Sequence, residues 1–181
     1  NSADPSAVGT GWLPKDRIVA TLRKPGVPNA LESVTVKHEA GFNVTIVYKA
    51  YEAGAGDFMG TPVVLILLDE EPPLVIYNQC LARTTATGGI VVMTFTPESG
   101  MTALVAQFMN DRKPGQMLVI AGLKDARHPS GKTHLDEKRI TQLLAAYPPH
   151  EREMRRTGVP IFGSGMVFPL PDEWIICDPF R

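Results

Sequence analysis

The spacing of apolar and polar positions changes several times along the chain, and each change marks an expected element. Residues 33–51, "SVTVKHEAGFNVTIVYKAY", alternate β-branched with polar side chains on both sides of Glu39-Ala40-Gly41-Phe42-Asn43, the pattern of a β-hairpin. A glycine-rich turn, "EAGAGDFMG", follows. "TPVVLILLDEEPP" is then continuously apolar until it meets three acids, as a strand buried on both faces of a parallel sheet would be. "PPLVIYNQCLART" predicts a helix with Pro72 and Pro73 in its first turn, where the missing N–H groups cost little. "GGIVVMTFT" reads as the next buried strand, "MTALVAQFMND" as a helix, "QMLVIAG" as a strand and "THLDEKRITQLLAAY" as a helix. Strands that alternate with helices predict an α/β fold with a mainly parallel sheet flanked by helices.

The two ends break this rhythm. "NSADPSAVGTGWLPK" is rich in Gly, Pro and Ser, has little periodicity, and reads as the cut end of a longer protein. From Pro148 the chain turns charged in "PPHEREMRRTGVP", then predicts a glycine hairpin in "IFGSGMVFP" and a short strand in "EWIICDPF". Residues 1–147 are therefore expected to form the main body and 148–181 a linker or appendage.

Bulk chemistry narrows the picture only a little. A formal net charge of -1 gives no global electrostatic case for nucleic acid, although a local basic stripe remains compatible with it. Cys80 and Cys177 are far apart and lack zinc-ligand spacing, which favours a reduced, intracellular protein. The apolar runs are strand-sized, too short to cross a bilayer, so no membrane partner is expected.

Two short motifs bear on phosphate chemistry. "ARHPSGKT", Ala126–Thr133, ends like a phosphate-binding loop, but the first glycine is replaced by Ala126 and Pro129 removes an N–H donor. The plainer account makes Thr133 a helix N-cap, with Asp136 and Glu137 in the first turn and Gly131 allowing the entry bend. "VVLILLDEE" carries the stronger signal, since an apolar strand ending in Asp69-Glu70 has the Walker B pattern. In that chemistry the aspartate holds the water shell of Mg²⁺ and the next glutamate orients the water that attacks the γ-phosphate. The same acids also suit the N-terminus of the helix beginning at Pro72. Thr94 and Thr96, at the end of the following strand, are placed to sit beside the acid pair and sense the γ-phosphate; Thr96-Pro97 alternatively only starts a turn.

"LDEEPP", "TFTPESGMT" and the tail "PPHEREMRRTGVPIFGSGMVFP", in this order and spacing, resemble the ATPase region of tailed-phage terminase large subunits. The resemblance runs from about "GTGWLPKDRI" to the end of the chain, and it implies an incomplete RecA-like P-loop ATPase core. By it, the chain is the C-terminal part of the ATPase region of the motor that packages viral DNA into a capsid. Asp69 and Glu70 correspond to the Walker B pair, with Asp69 holding Mg²⁺ through water and Glu70 as the catalytic base, although Glu71 extends the acid run. Thr94 and Thr96 fall in the coupling motif that links hydrolysis to DNA movement.

The same resemblance puts the phosphate-binding loop upstream of this chain and a nuclease domain downstream, so the chain alone is expected to be inactive. Mg²⁺ and ATP are the implied cofactors of the complete protein. The implied partners are double-stranded DNA, the portal protein, the small terminase subunit and a further copy of the chain, in the host cytoplasm. Two other readings are a catalytically silent assembly or DNA-docking module, and a self-contained nucleotidase that uses the Ala126–Thr133 loop. Arg83, Lys138, Arg139, Arg152, Arg155 and Arg156 are candidates for phosphate contact or an arginine finger, against the plainer role of a solvated helix face.

Overall fold

The structure, a computed structural model, describes residues 11–126, 128, 130–132 and 135–160. The chain forms two compact units that divide between Gly60 and Thr61.

The first unit is built on three strands, β1 (Ile18–Arg23), β2 (Leu31–Lys37) and β3 (Asn43–Val47), in the order β1-β2-β3 with both pairs antiparallel. The hairpin expected around Gly41 is β2–β3, in register from Ser33↔Val47 to Lys37↔Asn43. The His38 N–H closes its turn on the Phe42 carbonyl at 2.8 Å, and the two rings stack with centroids 4.6 Å apart. Across the ladder the Thr35 and Thr45 hydroxyls meet at 3.1 Å, the cross-strand threonine pairing that supports a sheet. β1 was not expected, and its burial explains why: only Ile18 is even half-buried, so "IVATLR" carries no alternation to read. Ladder hydrogen bonds to β2 hold it, with register shifts near both ends. Among the described residues of this unit, Val34 and Phe58 are the buried apolar side chains.

The second unit opens with β4 (Leu65–Asp69), followed by α1 (Leu74–Thr85) and β5 (Ile90–Thr94). β4 and β5 pair in parallel, from Leu65↔Ile90 to Asp69↔Thr94, so the βαβ order read from the pattern is present. In α1 the buried residues Ile76, Tyr77, Cys80 and Thr84 form one stripe at helical spacing. The Pro73 carbonyl accepts the Ile76 and Tyr77 N–H groups at 2.9 and 3.1 Å, so the prolines precede the helix rather than occupy its first turn. At the far end the Thr87 hydroxyl donates to the Val63 carbonyl at 2.7 Å, and Gly89 N–H reaches the Thr84 carbonyl at 2.9 Å.

Gly89 leaves no room for a side chain: a Cβ there would lie 2.8 Å from Val64 Cα, at the point where β5 enters beside β4. Gly89→Ala is expected to cost about 1–3 kcal/mol through overpacking, read as a lower urea midpoint. An unchanged midpoint would show that the strand entry yields freely.

The sheet differs from the expectation. Among the described residues the parallel sheet has two strands, and the larger sheet is antiparallel. β4 is not buried on both faces: Leu68 is 3% exposed, whereas Leu67 is 70% exposed. "QMLVIAG" forms no strand, since no described strand lies beside it to pair its backbone, and Met117 and Val119 stand largely exposed.

Three further α-helices lie among the described residues of this unit: α2 (Ala103–Asn110), α3 (Glu137–Ala145) and α4 (Pro149–Thr157). α3 starts later than expected because Asp136, not Thr133, caps it, accepting the Arg139 N–H at 2.8 Å. An ionised carboxylate at this position also meets the positive end of the helix; Thr133 itself lies outside the described residues. The charged tail from Pro148 contains α4, whose buried Met154 faces inward and whose first-turn proline is well suited to a helix start. α4 ends at Gly158 in the left-handed conformation, with its N–H on the Met154 carbonyl at 2.7 Å. Here two segments cross backbone to backbone: a Cβ on Gly122 would lie 2.9 Å from Thr157 Cα, and one on Gly158 3.1 Å from the Ala121 carbonyl carbon. The hairpin and strand expected beyond residue 160 lie outside the described residues.

Candidate functional site

The ends of β4 and β5 bring three of the four expected site residues to one edge. Asp69 and Thr94 are register partners, and the Glu70 N–H donates to the Thr94 carbonyl at 2.9 Å, extending the pairing one residue past the strand. Both acids are exposed. Glu70 has φ 63°, in the left-handed region that a side chain of this kind seldom adopts. Such backbone strain, where observed, collects at functional sites. The left-handed residue comes directly after Asp69, where β4 ends.

Glu71 has a separate task. Its carboxylate accepts a hydrogen bond from the Thr102 hydroxyl, which in turn accepts the Val105 N–H at 3.2 Å as the N-cap of α2. One acid of the run is therefore committed to fixing α2, while the neighbouring pair sits at the exposed edge. Thr102 was not singled out from the sequence, although a threonine ahead of "ALV" is a readable N-cap signal.

Thr96 lies two residues beyond β5, half-buried, with its carbonyl accepting the Glu98 N–H at 2.7 Å. The loop it enters is compact: Pro97 and Gly100 are buried, and the Gly100 N–H meets the Pro97 carbonyl at 3.0 Å. The turn reading of Thr96-Pro97 is thus realised, and Thr96 stands two residues beyond the strand end that carries Thr94.

The loop is also tied from outside. Arg155 of α4 places a guanidinium nitrogen 2.6 Å from Glu98 and 3.7 Å from Glu151, with its Cζ 4.3 Å from the centre of the Tyr147 ring. The other two arginines of α4 are engaged within their own neighbourhood. Arg156 forms a two-pronged bond to Glu153 at 2.7 and 2.9 Å, and Arg152 donates to the Tyr147 carbonyl at 2.9 Å. The Arg156 hydrogen bond holds the Glu153 carboxyl below the usual carboxylate value. Arg83 donates twice to the Thr61 carbonyl, at 2.6 and 2.8 Å, anchoring α1 to the approach of β4. Burial pushes the Cys80 thiol up, against a smaller opposing effect of Arg83.

The Lys132 segment has a different geometry from a phosphate cradle. His128 N–H donates to the Lys132 carbonyl at 2.8 Å and Gly131 N–H to the His128 carbonyl at 2.8 Å, so these amides are spent on a local turn. No described strand leads directly into it, and α3 begins only at Glu137. Among the described residues no group of three His, Cys, Asp or Glu side chains is arranged as a metal cage, and no helix is long and apolar enough to cross a membrane.

A parallel strand pair whose carboxyl edge carries an acid run and threonines, followed by this tail, is matched by the family model "Terminase large subunit, T4likevirus-type, N-terminal" over residues 6–174. The chain belongs to the terminase large subunit family. It is 37% identical over 179 residues to the terminase large subunit of Salmonella phage P22, covering 96% of this chain and 34% of that protein. It is 37% identical over 122 residues to the large subunit of Enterobacteria phage LP7, covering 67% of this chain and 24% of that one. The chain thus spans about a third or less of the length of these relatives. The family match lies in the N-terminal part of the subunit, where the sequence reading expected the C-terminal part of the ATPase region. No solved structure matches the chain significantly.

Proposed function

We propose that this chain forms the acidic, water-activating side of the ATP site in a viral DNA-packaging motor, within a RecA-like core. The observation that carries the reading is the Asp69↔Thr94 register with the Glu70 N–H on the Thr94 carbonyl. It sets acids and hydroxyl together at the carboxyl ends of parallel strands, the edge at which open α/β sheets receive ligands.

The donor set suits Mg²⁺ with bound nucleotide, because this ion keeps most of its water and needs one or two carboxylates rather than a protein cage. Bound Mg²⁺ would supply neutralisation of phosphate charge. Asp69 would hold it through water, and Glu70 orients the attacking water and accepts its proton. Thr94 at this edge, with Thr96 two residues further along the chain, would register whether the γ-phosphate is present. In the assembled motor, double-stranded DNA, the portal protein, the small terminase subunit and further copies of the chain are the partners. The host cytoplasm is the setting, and the tail beyond Pro148 leads toward the nuclease domain.

The test replaces the matching segment of the phage P22 large subunit with this chain and follows ATP hydrolysis against Mg²⁺ concentration. Asp69→Asn is expected to raise the Mg²⁺ needed for half-maximal rate by about tenfold or more, the loss of one charged contact. An unchanged Mg²⁺ requirement would take Asp69 out of the site.

A further inference from the structure

Arg155 is 21% exposed, its Nε is buried with no hydrogen-bond partner among the described residues, and its guanidinium lies between the Tyr147 ring and two carboxylates. One of these carboxylates, Glu151, lies on α4 itself. The other, Glu98, belongs to the loop that links β5 to α2. At 2.6 Å the contact joins a largely shielded arginine to a Glu98 side chain that is 59% exposed, a charge-assisted hydrogen bond with one partner held in place by packing.

The same loop is held at its other end by the Thr102 hydroxyl on Glu71. Between the two tethers it has little slack, since the Glu98, Gly100 and Thr102 N–H groups all bond to carbonyls two or three residues back. The acid run at the end of β4 and the helix α4 are thus connected through a short, internally bonded bridge. Displacing Glu98 toward or away from α4 moves the segment that carries Thr96 and the cap that holds Glu71.

We infer that Arg155 is a positioning residue: through Glu98 it sets the loop between Thr94 and Thr102, and so ties the geometry of the acid edge to the placement of α4. This deepens the proposed ATP-site reading and rests on it for its functional part. Arg155 acts through Glu98 and needs no contact with nucleotide, unlike an arginine finger.

Hydrogen exchange on the 181-residue chain tests the tether without any nucleotide. Arg155→Ala is expected to speed exchange of the Glu98–Thr102 amides by about tenfold while leaving the α1 amides unchanged. Glu98→Gln should give the same acceleration, the double variant no more than either single change, and Arg155→Lys a partial return. Unchanged exchange in Arg155→Ala, or effects of the two single changes that simply add, would overturn the inference.

In the phage P22 large subunit carrying this chain, Arg155→Ala should lower kcat for ATP with KM unchanged, and Arg155→Lys should recover part of it. Full activity of Arg155→Ala where Glu70→Gln is inactive overturns the positioning role alone. Activity retained by Glu70→Gln overturns the ATP-site reading instead, and the exchange result then still decides the tether.

Discussion

Glu70→Gln, placed in a phage P22 large subunit that carries this chain, is expected to lose roughly 10²- to 10⁴-fold in ATP turnover while nucleotide still binds. The amide has nearly the shape of the carboxylate and retains an oxygen to orient water, but it cannot accept the proton. The backbone supports the choice of residue. Glu70 is fixed by its N–H to the Thr94 carbonyl and leaves β4 with a left-handed φ, whereas the Glu71 carboxylate is occupied by Thr102. Glu71→Gln is the matching control, since it keeps an acceptor for that hydroxyl and should leave most of the turnover intact. Comparable losses in both variants would move the base to Glu71 or to the acid run as a whole. Full turnover in Glu70→Gln would remove Glu70 from the assigned role.

Ile76→Ala is expected to destabilise the second unit by about 2–5 kcal/mol, the usual cost of emptying a buried branched position. Ile76 is 1% exposed in the first turn of α1, two turns upstream of the buried Thr84, and its N–H is one of those received by the Pro73 carbonyl. The cavity would open directly behind the strand-to-helix junction that follows the acids, so the loss should appear both in a urea midpoint and in the order of that junction. Leu143→Ala is the comparison, because Leu143 is exposed on α3 and should shift the midpoint by only about 0.5 kcal/mol. Equal effects at the two positions would mean that α1 is not seated as the burial indicates.

Elements with a strong local period were legible. The β2–β3 hairpin, β4, α1, β5 and α2 each follow from spacing or from a proline, glycine or threonine at the right place. So was the meeting of Asp69, Glu70 and Thr94, because two parallel strands of similar length, each ending in its polar residues, must bring those ends to one edge. What failed had its cause elsewhere in the chain. "QMLVIAG" has strand composition, but a strand exists only where another backbone completes its hydrogen bonds. β1 errs in the opposite direction, since β2 supplies the ladder that its own exposed sequence does not announce. α4 was hidden by charge: a helix rich in Glu and Arg looks like a solvated linker until Met154 is seen to anchor one face. The Glu98–Arg155 contact joins positions far apart in sequence, and no spacing rule reaches that far.

The crossing of Ala121-Gly122 with the end of α4 has a mechanical consequence. The two backbones touch with no side chain between them, so neither can slide along or rotate past the other without a collision of main-chain atoms. α4 is therefore pinned at its carboxyl end, and near its other end Arg152 ties it to the Tyr147 and Ala145 carbonyls at 2.9 and 3.4 Å. A helix held in this way is a strut rather than a hinge arm, and Arg155, less than one turn from Gly158, is presented to Glu98 at a height set by the main chain.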